Sequence, residues 1–196
     1  MIQLGKDYDN ASSYTGSSFS PLPIGGHICR IIGARAAKSR NGNDMLEVAF
    51  DIAENGQYDG KFKDRFDYLR KSNPQAKWPN GGMFRAGLIT ADGRTNPFFK
   101  GLITAVEESN PGYSFKATGG NEETLKGKLV GFNFGEEEYK GSDGTIKTGV
   151  KAAYAVSVQT VREGIEPPPK KLYKPSQSEI MAAQGFTEVT DESLPF

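Results

Sequence analysis

Apolar and polar residues alternate along much of this chain. The alternation is cleanest where Leu46, Val48, Phe50 and Ile52 interleave with Met45, Glu47, Ala49 and Asp51. A period of two places each set on one face of a strand. A first strand is predicted before it, over 27–38, with Ile28, Ile32, Ala34 and Ala36 on one parity and Arg30 breaking it. Arg40-Asn-Gly-Asn43 supplies the turn between the two. A third strand is predicted over 61–70. There Phe62, Phe66 and Tyr68 share one parity and Lys61, Lys63 and Arg65 the other. The three strands form an antiparallel meander. Residues 71–94 show no clear period. Phe98, Leu102 and Val106 then recur every fourth residue, with Phe99 and Ile103 beside them, which predicts a helix. Asn96 is its N-cap, Pro97 suits its first turn, and Asn110-Pro-Gly112 stops it. A fourth strand over 128–138 carries Val130, Phe132 and Phe134 on one parity, while Gly131 and Gly135 on the other permit curvature or a bulge. A hairpin loop tipped by Asp143-Gly144 leads to a fifth strand over 148–161, with Val150, Tyr154, Val156 and Val158.

Three meandering strands, a helix, then a hairpin is the element order of an OB-fold, a five-stranded barrel that binds oligonucleotides on strands two and three and on the loops beside them. The fold class expected is therefore all-β with one inserted helix. A different barrel or sandwich with an inserted helix has the same order. The chain divides into an N-terminal arm (1–25), the barrel (26–163), a Pro-rich linker (164–186) and an acidic tip (187–196). The arm is polar and turn-rich, with Tyr8, Tyr14 and Phe19 to pin it. Pro167-Pro-Pro-Lys-Lys reads as a polyproline spacer. The Ser176-x-x-Glu179 pattern is a capping box that admits one short helix after it.

Charge alters this picture only when it is divided along the chain. The 196 residues carry 24 basic and 24 acidic side chains. Four acids and no Lys or Arg follow Lys174, so residues 1–174 hold 24 basic against 20 acidic groups, a net of +4. A mildly basic body with an acidic end suits a nucleic-acid binder with a separate recruitment tail, and also an ordinary enzyme. One cysteine excludes an internal disulfide framework and fits a reducing compartment. No apolar run is long enough to span a bilayer, so a cytoplasmic protein without a membrane partner is expected. A homodimer stays open.

Single-strand binding needs cations along the backbone path and flat rings for bases. The first turn offers Lys38 and Arg40, and the third predicted strand offers Lys61, Lys63, Arg65 and then Arg70 and Lys71. Lys77, Trp78, Phe84 and Arg85 follow in the irregular stretch, and the last loop offers Tyr139, Lys140 and Lys147. Phe62, Phe66, Phe132 and Phe134 read as core. For Trp78 and Tyr139, set among polar turn residues, stacking on a base and packing against the barrel rim are equally open.

Catalysis has little to stand on. His27 is the sole histidine, and Cys29 alternates within the first strand as a buried, inert thiol. Glu136-Glu-Glu138 reads as a solvated strand end. No P-loop, nucleophile–base pair or zinc spacing occurs, so neither a catalytic residue nor a metal or other cofactor is implied.

The last residues, Thr190-Asp-Glu-Ser-Leu-Pro-Phe196, resemble the acidic tip of bacterial single-stranded-DNA-binding proteins. That tip closes on acids, an aliphatic residue, Pro and a final Phe. Here Ser193 interrupts the acids and Leu194 stands where Ile is usual. The resemblance implies that Asp191, Glu192, Leu194, Pro195 and Phe196 recruit replication or recombination proteins such as a polymerase, helicase or recombinase. The whole chain also resembles a family of small phage proteins encoded in replication modules. That likeness rests on Tyr8-Asp-Asn, Leu22-Pro-x-Gly-Gly, Phe62-Lys-Asp-Arg-Phe, Leu125-Lys-Gly-Lys-Leu-Val-Gly131 and the Leu-Pro-Phe end. It implies an OB-fold and single-stranded DNA binding in phage replication, recombination or repair. The alternative is an interaction adaptor that keeps the barrel but does not hold DNA.

Overall fold

In the computed structural model the described residues are 22–54, 56–175 and 179–180. Five strands form one antiparallel sheet: β1 Gly25–Lys38, β2 Asp44–Ile52, β3 Met83–Gly87, β4 Leu129–Lys140 and β5 Ile146–Val156. Their order is β3-β2-β1-β4-β5, and no ladder joins β3 to β5 among the described residues, so the sheet is not closed. Among the described residues three α-helices with defined bounds accompany it: α1 Lys61–Ser72, α2 Pro97–Ser109 and α3 Val158–Glu163. The expectation of a single inserted helix is corrected accordingly.

The largest difference lies at residues 61–70, expected as a strand and found within α1. Phe62 and Phe66 are four apart, a spacing that fits both a strand and a helix. Leu69 completes the helical series and is partly buried, whereas Tyr68, which a strand would bury with Phe66, is 48% exposed. The deciding contact comes from β2. Asp51 is buried, and its carboxylate accepts the α1 amides of Phe62 (2.8 Å) and Lys63 (3.0 Å) as well as that of Ile52 (2.9 Å). These satisfy N-terminal amides that a helix otherwise leaves unpaired. Gly60, at φ 72°, makes the turn that brings the chain there.

The third strand is instead β3, inside the stretch that showed no period. It is reached through Gly82, where an added Cβ would meet Trp78 Nε1 at 2.7 Å, Phe62 Cγ at 2.8 Å and Phe50 O at 2.9 Å. Only glycine lets the chain pass between these groups.

In β1 the pairing with β2 shifts between Ile31 and Gly33. The bulge moves the core side from Cys29 and Ile31 to Ala34, leaving Ile32 39% exposed, so the single parity expected for Ile28, Ile32, Ala34 and Ala36 does not hold. The helix α2 has its Asn96 cap, which accepts from Phe98 N at 2.9 Å, and it buries Leu102 and Val106. Phe98 itself is exposed. At its other end Asn110 ties α2 to β4 by donating to Val106 O and Leu129 O and accepting from Leu129 N.

Phe50, Phe62, Phe84, Phe132 and Phe134 fill one core on one side of the sheet, as the pattern predicted for Phe62, Phe132 and Phe134. Phe66, also expected there, is only partly buried on α1, and Phe84, expected to offer a ring to bases, is core because β3 turns it inward. Gly131 and Gly135 do flank a register shift in β4. They also clear space: a Cβ would lie 2.6 Å from Val161 at Gly131 and 2.6 Å from Pro168 at Gly135. The fifth strand ends at Val156, five residues short of the expected end, because Ser157 caps α3 by accepting from Thr160 N. Residues 165–175 lie along β4 rather than standing off as a spacer. The arm up to Pro21, Ser176 of the capping box, and the tip with Asp191, Glu192, Leu194, Pro195 and Phe196 fall outside the described residues.

His27 is buried, with Nε2 2.8 Å from Pro23 O and its ring edge-on to Phe134 at 5.3 Å. The carbonyl can only accept, so Nε2 carries the proton. Burial holds the imidazole below its ordinary value of 6.5 although the Pro23 bond opposes this. Cys29 is fully buried, and burial with the nearby Asp51 charge pushes its thiol up.

Two measurements follow from these contacts. Asp51→Ala should cost about 2 kcal/mol and lower Tm by roughly 4–8 °C, with Asp51→Asn between it and wild type; an unchanged Tm would remove Asp51 as the α1 anchor. The unfolded chain takes up the His27 proton more readily than the folded one. Stability from His27 is therefore present above pH 6.5 and lost as pH falls below it. Because the chain has one histidine, His27→Gln should flatten the decline in Tm between about pH 7 and 5.5, and a decline that persists unchanged would assign it elsewhere.

Candidate nucleic-acid interface

The side of β1–β2–β3 away from the aromatic core carries an ordered row of charge. Arg35 pairs with Glu47 across β1 and β2, and Glu47 with Arg85 across β2 and β3. One carboxylate thus lies between two guanidiniums on three adjacent strands. Glu47 Oε2 accepts from Arg35 Nη2 at 2.6 Å and Nε at 2.8 Å, and Oε1 accepts from Arg85 Nε at 2.7 Å. The bonds from Arg85 and then Arg35 outweigh partial burial and hold the Glu47 carboxyl below its ordinary value. Its side chain is 11% exposed, against 75% for Arg35 and 44% for Arg85. The acid therefore sits on the floor and the arginines lie over it, with Arg35 Nη1 and both Arg85 Nη groups outside these bonds.

Small residues flank this row. Gly33, Ala49 and Met83 align on one side of it, and Ala37, Met45 and Gly87 on the other. A Cβ at Gly33 would meet nothing within 4 Å. The result is a shallow groove of about 240 Å³ lined by Gly33, Ala34, Arg35, Glu47, Ala49 and Met83. An apolar floor under two fixed guanidiniums suits a ligand with flat apolar parts and anionic linkers. Arg has the geometry for phosphate because its donors form a planar fork.

The residues expected to bind fall in three places. Lys38 and Arg40 stand exposed at the turn where β1 ends, Lys38 paired with Asp44 at 2.7 Å. Arg85 stands beside the groove, across Glu47 from Arg35. Lys38 and Asp44 share the parity of Ala36 and Leu46 and so belong to the core side of the sheet, opposite Arg35 and Glu47.

The second place is α1. It meets β2 at Asp51, two rows along the same face from Glu47. Lys61, Lys63 and Arg65 no longer share a face, because successive helical positions turn by about 100°. Lys61 lies over the Tyr58 ring at 5.7 Å, and burial and then the Arg65 charge lower its pKa. Lys63 pairs with Asp67 at 2.5 Å, Arg65 is exposed, and Arg70 stacks on the Phe66 ring at 5.5 Å. Lys77 is exposed nearby in sequence. Trp78 is partly buried: its Nε1 donates to Gly82 O at 3.1 Å and Phe50 O at 3.3 Å, and its ring lies 5.3 Å from Phe66. Of its two open readings, packing is the one seen.

The third place is the β4–β5 hairpin. Tyr139 is 42% exposed, Lys140 pairs with Glu179 at 2.7 Å and Lys147 with Asp143 at 2.9 Å.

Arg35 and Glu47 were missed as site residues. Parity was the available signal: both stand opposite the core positions of their strands. What the sequence lacked was the register that puts them beside Arg85.

Among the described residues no group of three or more His, Cys, Asp or Glu side chains is placed to hold a metal, and no helix is long and apolar enough to cross a membrane. No known protein family matches the chain, and neither does any curated protein.

Proposed function

We propose that this protein binds single-stranded DNA without sequence preference, on the β1–β3 face, and recruits other replication, recombination or repair proteins through its acidic Leu-Pro-Phe tip. The observation that carries it is the Arg35–Glu47–Arg85 row over a floor of small apolar residues. The strand order, with a helix between the third and fourth strands, is also that of an OB-fold opened at the seam between β3 and β5. In that fold the outer face of strands two and three is where oligonucleotides lie. Guanidinium donors beside small side chains suit contacts to phosphates, which carry no sequence information.

Arg35 and Arg85 come from strands two apart, and their guanidinium groups converge on the one Glu47 carboxylate, which concentrates cation donors where a phosphate can meet them. The ion pairs that occupy several of these cations are exposed, and such pairs contribute only about 0–1 kcal/mol each, so a phosphate can take over the cation at small cost. The same pairing favours a second reading, an interaction adaptor that does not hold DNA, since Lys38, Lys63, Lys140 and Lys147 all have carboxylate partners within the chain.

Fluorescence anisotropy with labelled oligo-dT separates the two. Binding at low salt should fall steeply as salt rises. Arg35→Ala with Arg85→Ala should weaken it about tenfold, near 1.4 kcal/mol. Glu47→Gln should lose about 1 kcal/mol of stability while binding no more weakly, because it removes the acid from the groove. Absence of binding at low salt, or unchanged affinity in the folded double variant, would leave the adaptor. Removing residues 194–196 should leave DNA affinity unchanged and abolish capture of replication proteins; weakened DNA binding instead would place the tip in the DNA site.

A further inference from the structure

Residues 165–175 follow α3 and run back along β4. Glu166 O accepts from Asn133 Nδ2 at 2.8 Å, and the same amide group donates to Tyr154 Oη at 2.8 Å. Pro168 covers Gly135, where any Cβ would lie 2.6 Å from Pro168 Cγ. Beyond it the chain pairs in parallel with β4: Glu138 N donates to Lys171 O at 2.8 Å and Lys171 N to Glu136 O at 2.9 Å. These bonds fall where β4 has run past the start of β1, whose pairing begins at Gly25 opposite Phe134. The segment fills an edge that would otherwise lie open.

Its side chains meet the acids at the base of the hairpin. Lys171 Nζ lies 2.5 Å from Glu137 Oε1, Lys151 Nζ 2.9 Å from Glu137 Oε2, and Lys170 Nζ 2.8 Å from Glu138 Oε1. Tyr173 N donates to Glu138 Oε2 at 3.2 Å. Glu137 and Glu138 are each 23% exposed. Residues 136–151 hold four acids and three lysines, a net of −1. Residues 165–175 hold three lysines and one glutamate, a net of +2. With the segment docked, the hairpin region changes sign to +1.

We propose that residues 165–175 are a charge-compensating strap that makes the β4–β5 hairpin part of the surface for a phosphate backbone, with Lys170 and Lys171 as added binding residues. This rests on the single-strand reading above. The sequence-stretch Glu136-Glu-Glu138 would repel a polyanion placed against Tyr139 and Lys140. The strap removes that repulsion by supplying Lys170 and Lys171 from beyond α3.

The test uses the full chain and labelled oligo-dT at low salt. Gly135→Val should evict Pro168, speed hydrogen exchange at the Glu138 and Lys171 amides, and weaken binding roughly three- to tenfold. Lys170→Gln with Lys171→Gln should weaken it by a similar factor with the strap still protected, which keeps the test sound if Gly135→Val does not fold. Adding Glu137→Gln and Glu138→Gln to either variant should restore affinity, because the two acids that the strap lysines neutralise are then gone. Wild-type affinity in both variants, or failure of the acid-removing changes to restore it, overturns the strap's role while leaving DNA binding intact. If the wild-type protein itself does not bind, the single-strand reading falls and the proposal with it.

Discussion

Everything in this fold depends on what packs around Phe50. Its ring centroid lies 4.4 Å from Phe132, 5.7 Å from Phe62 and 6.0 Å from Phe134. One residue of β2 thereby joins α1, which follows it directly, to β4, which comes much later in the chain. Phe84 reaches the same cluster through Phe132 at 5.1 Å. Aromatic pairs of this kind contribute about 0.5–1.5 kcal/mol beyond the area they bury. To bring β2 and β4 onto one set of rings, the sheet must curl, and the bulges in β1 and β4 let it do so. With the aromatic side chains drawn to that side, the other side of β1–β3 keeps Gly33, Ala37, Ala49 and Gly87 beside the charged row. The groove is the reverse of the core.

Charge is then placed by register. Glu47 is nearly as buried as a core residue, and an acid there requires partners. Arg35 and Arg85 supply them from the neighbouring strands. The carboxylate thus anchors both guanidinium groups over the groove. The same logic operates at the other edge, where Glu137 and Glu138 take lysines from β5 and from the strap. In both places an acid fixes cations drawn from neighbouring elements.

Much of the fold was legible in the sequence. The alternation at 45–52, the Asn96–Asn110 helix and the Val130–Phe132–Phe134 strand all describe what is found, because each has a period that fits one structure only. The third strand failed at Phe62 and Phe66, whose spacing of four satisfies two periods at once. The β1 parity failed at Ile32, because a bulge inserts a residue that no pattern of hydrophobicity announces. Within the candidate interface, Arg85, Lys38 and Arg40 were singled out from composition and loop position. Arg35 was not, since an arginine in the middle of a strand acquires meaning only from its cross-strand neighbours.

By itself, then, the chain determined a β-rich architecture, a phenylalanine core, one capped helix and the cations near the turns. These are local properties, set by side-chain period and by the chemistry of caps and glycine turns. The tertiary structure decided the rest. Asp51, distant in sequence, made 61–72 a helix by accepting its first amides. Register across three strands put two arginines on one glutamate. The docking of residues 165–175 on β4 turned a supposed spacer into a part of the surface. Each of these depends on groups brought together from far apart along the chain, and pairing of that kind leaves no periodic trace in the sequence.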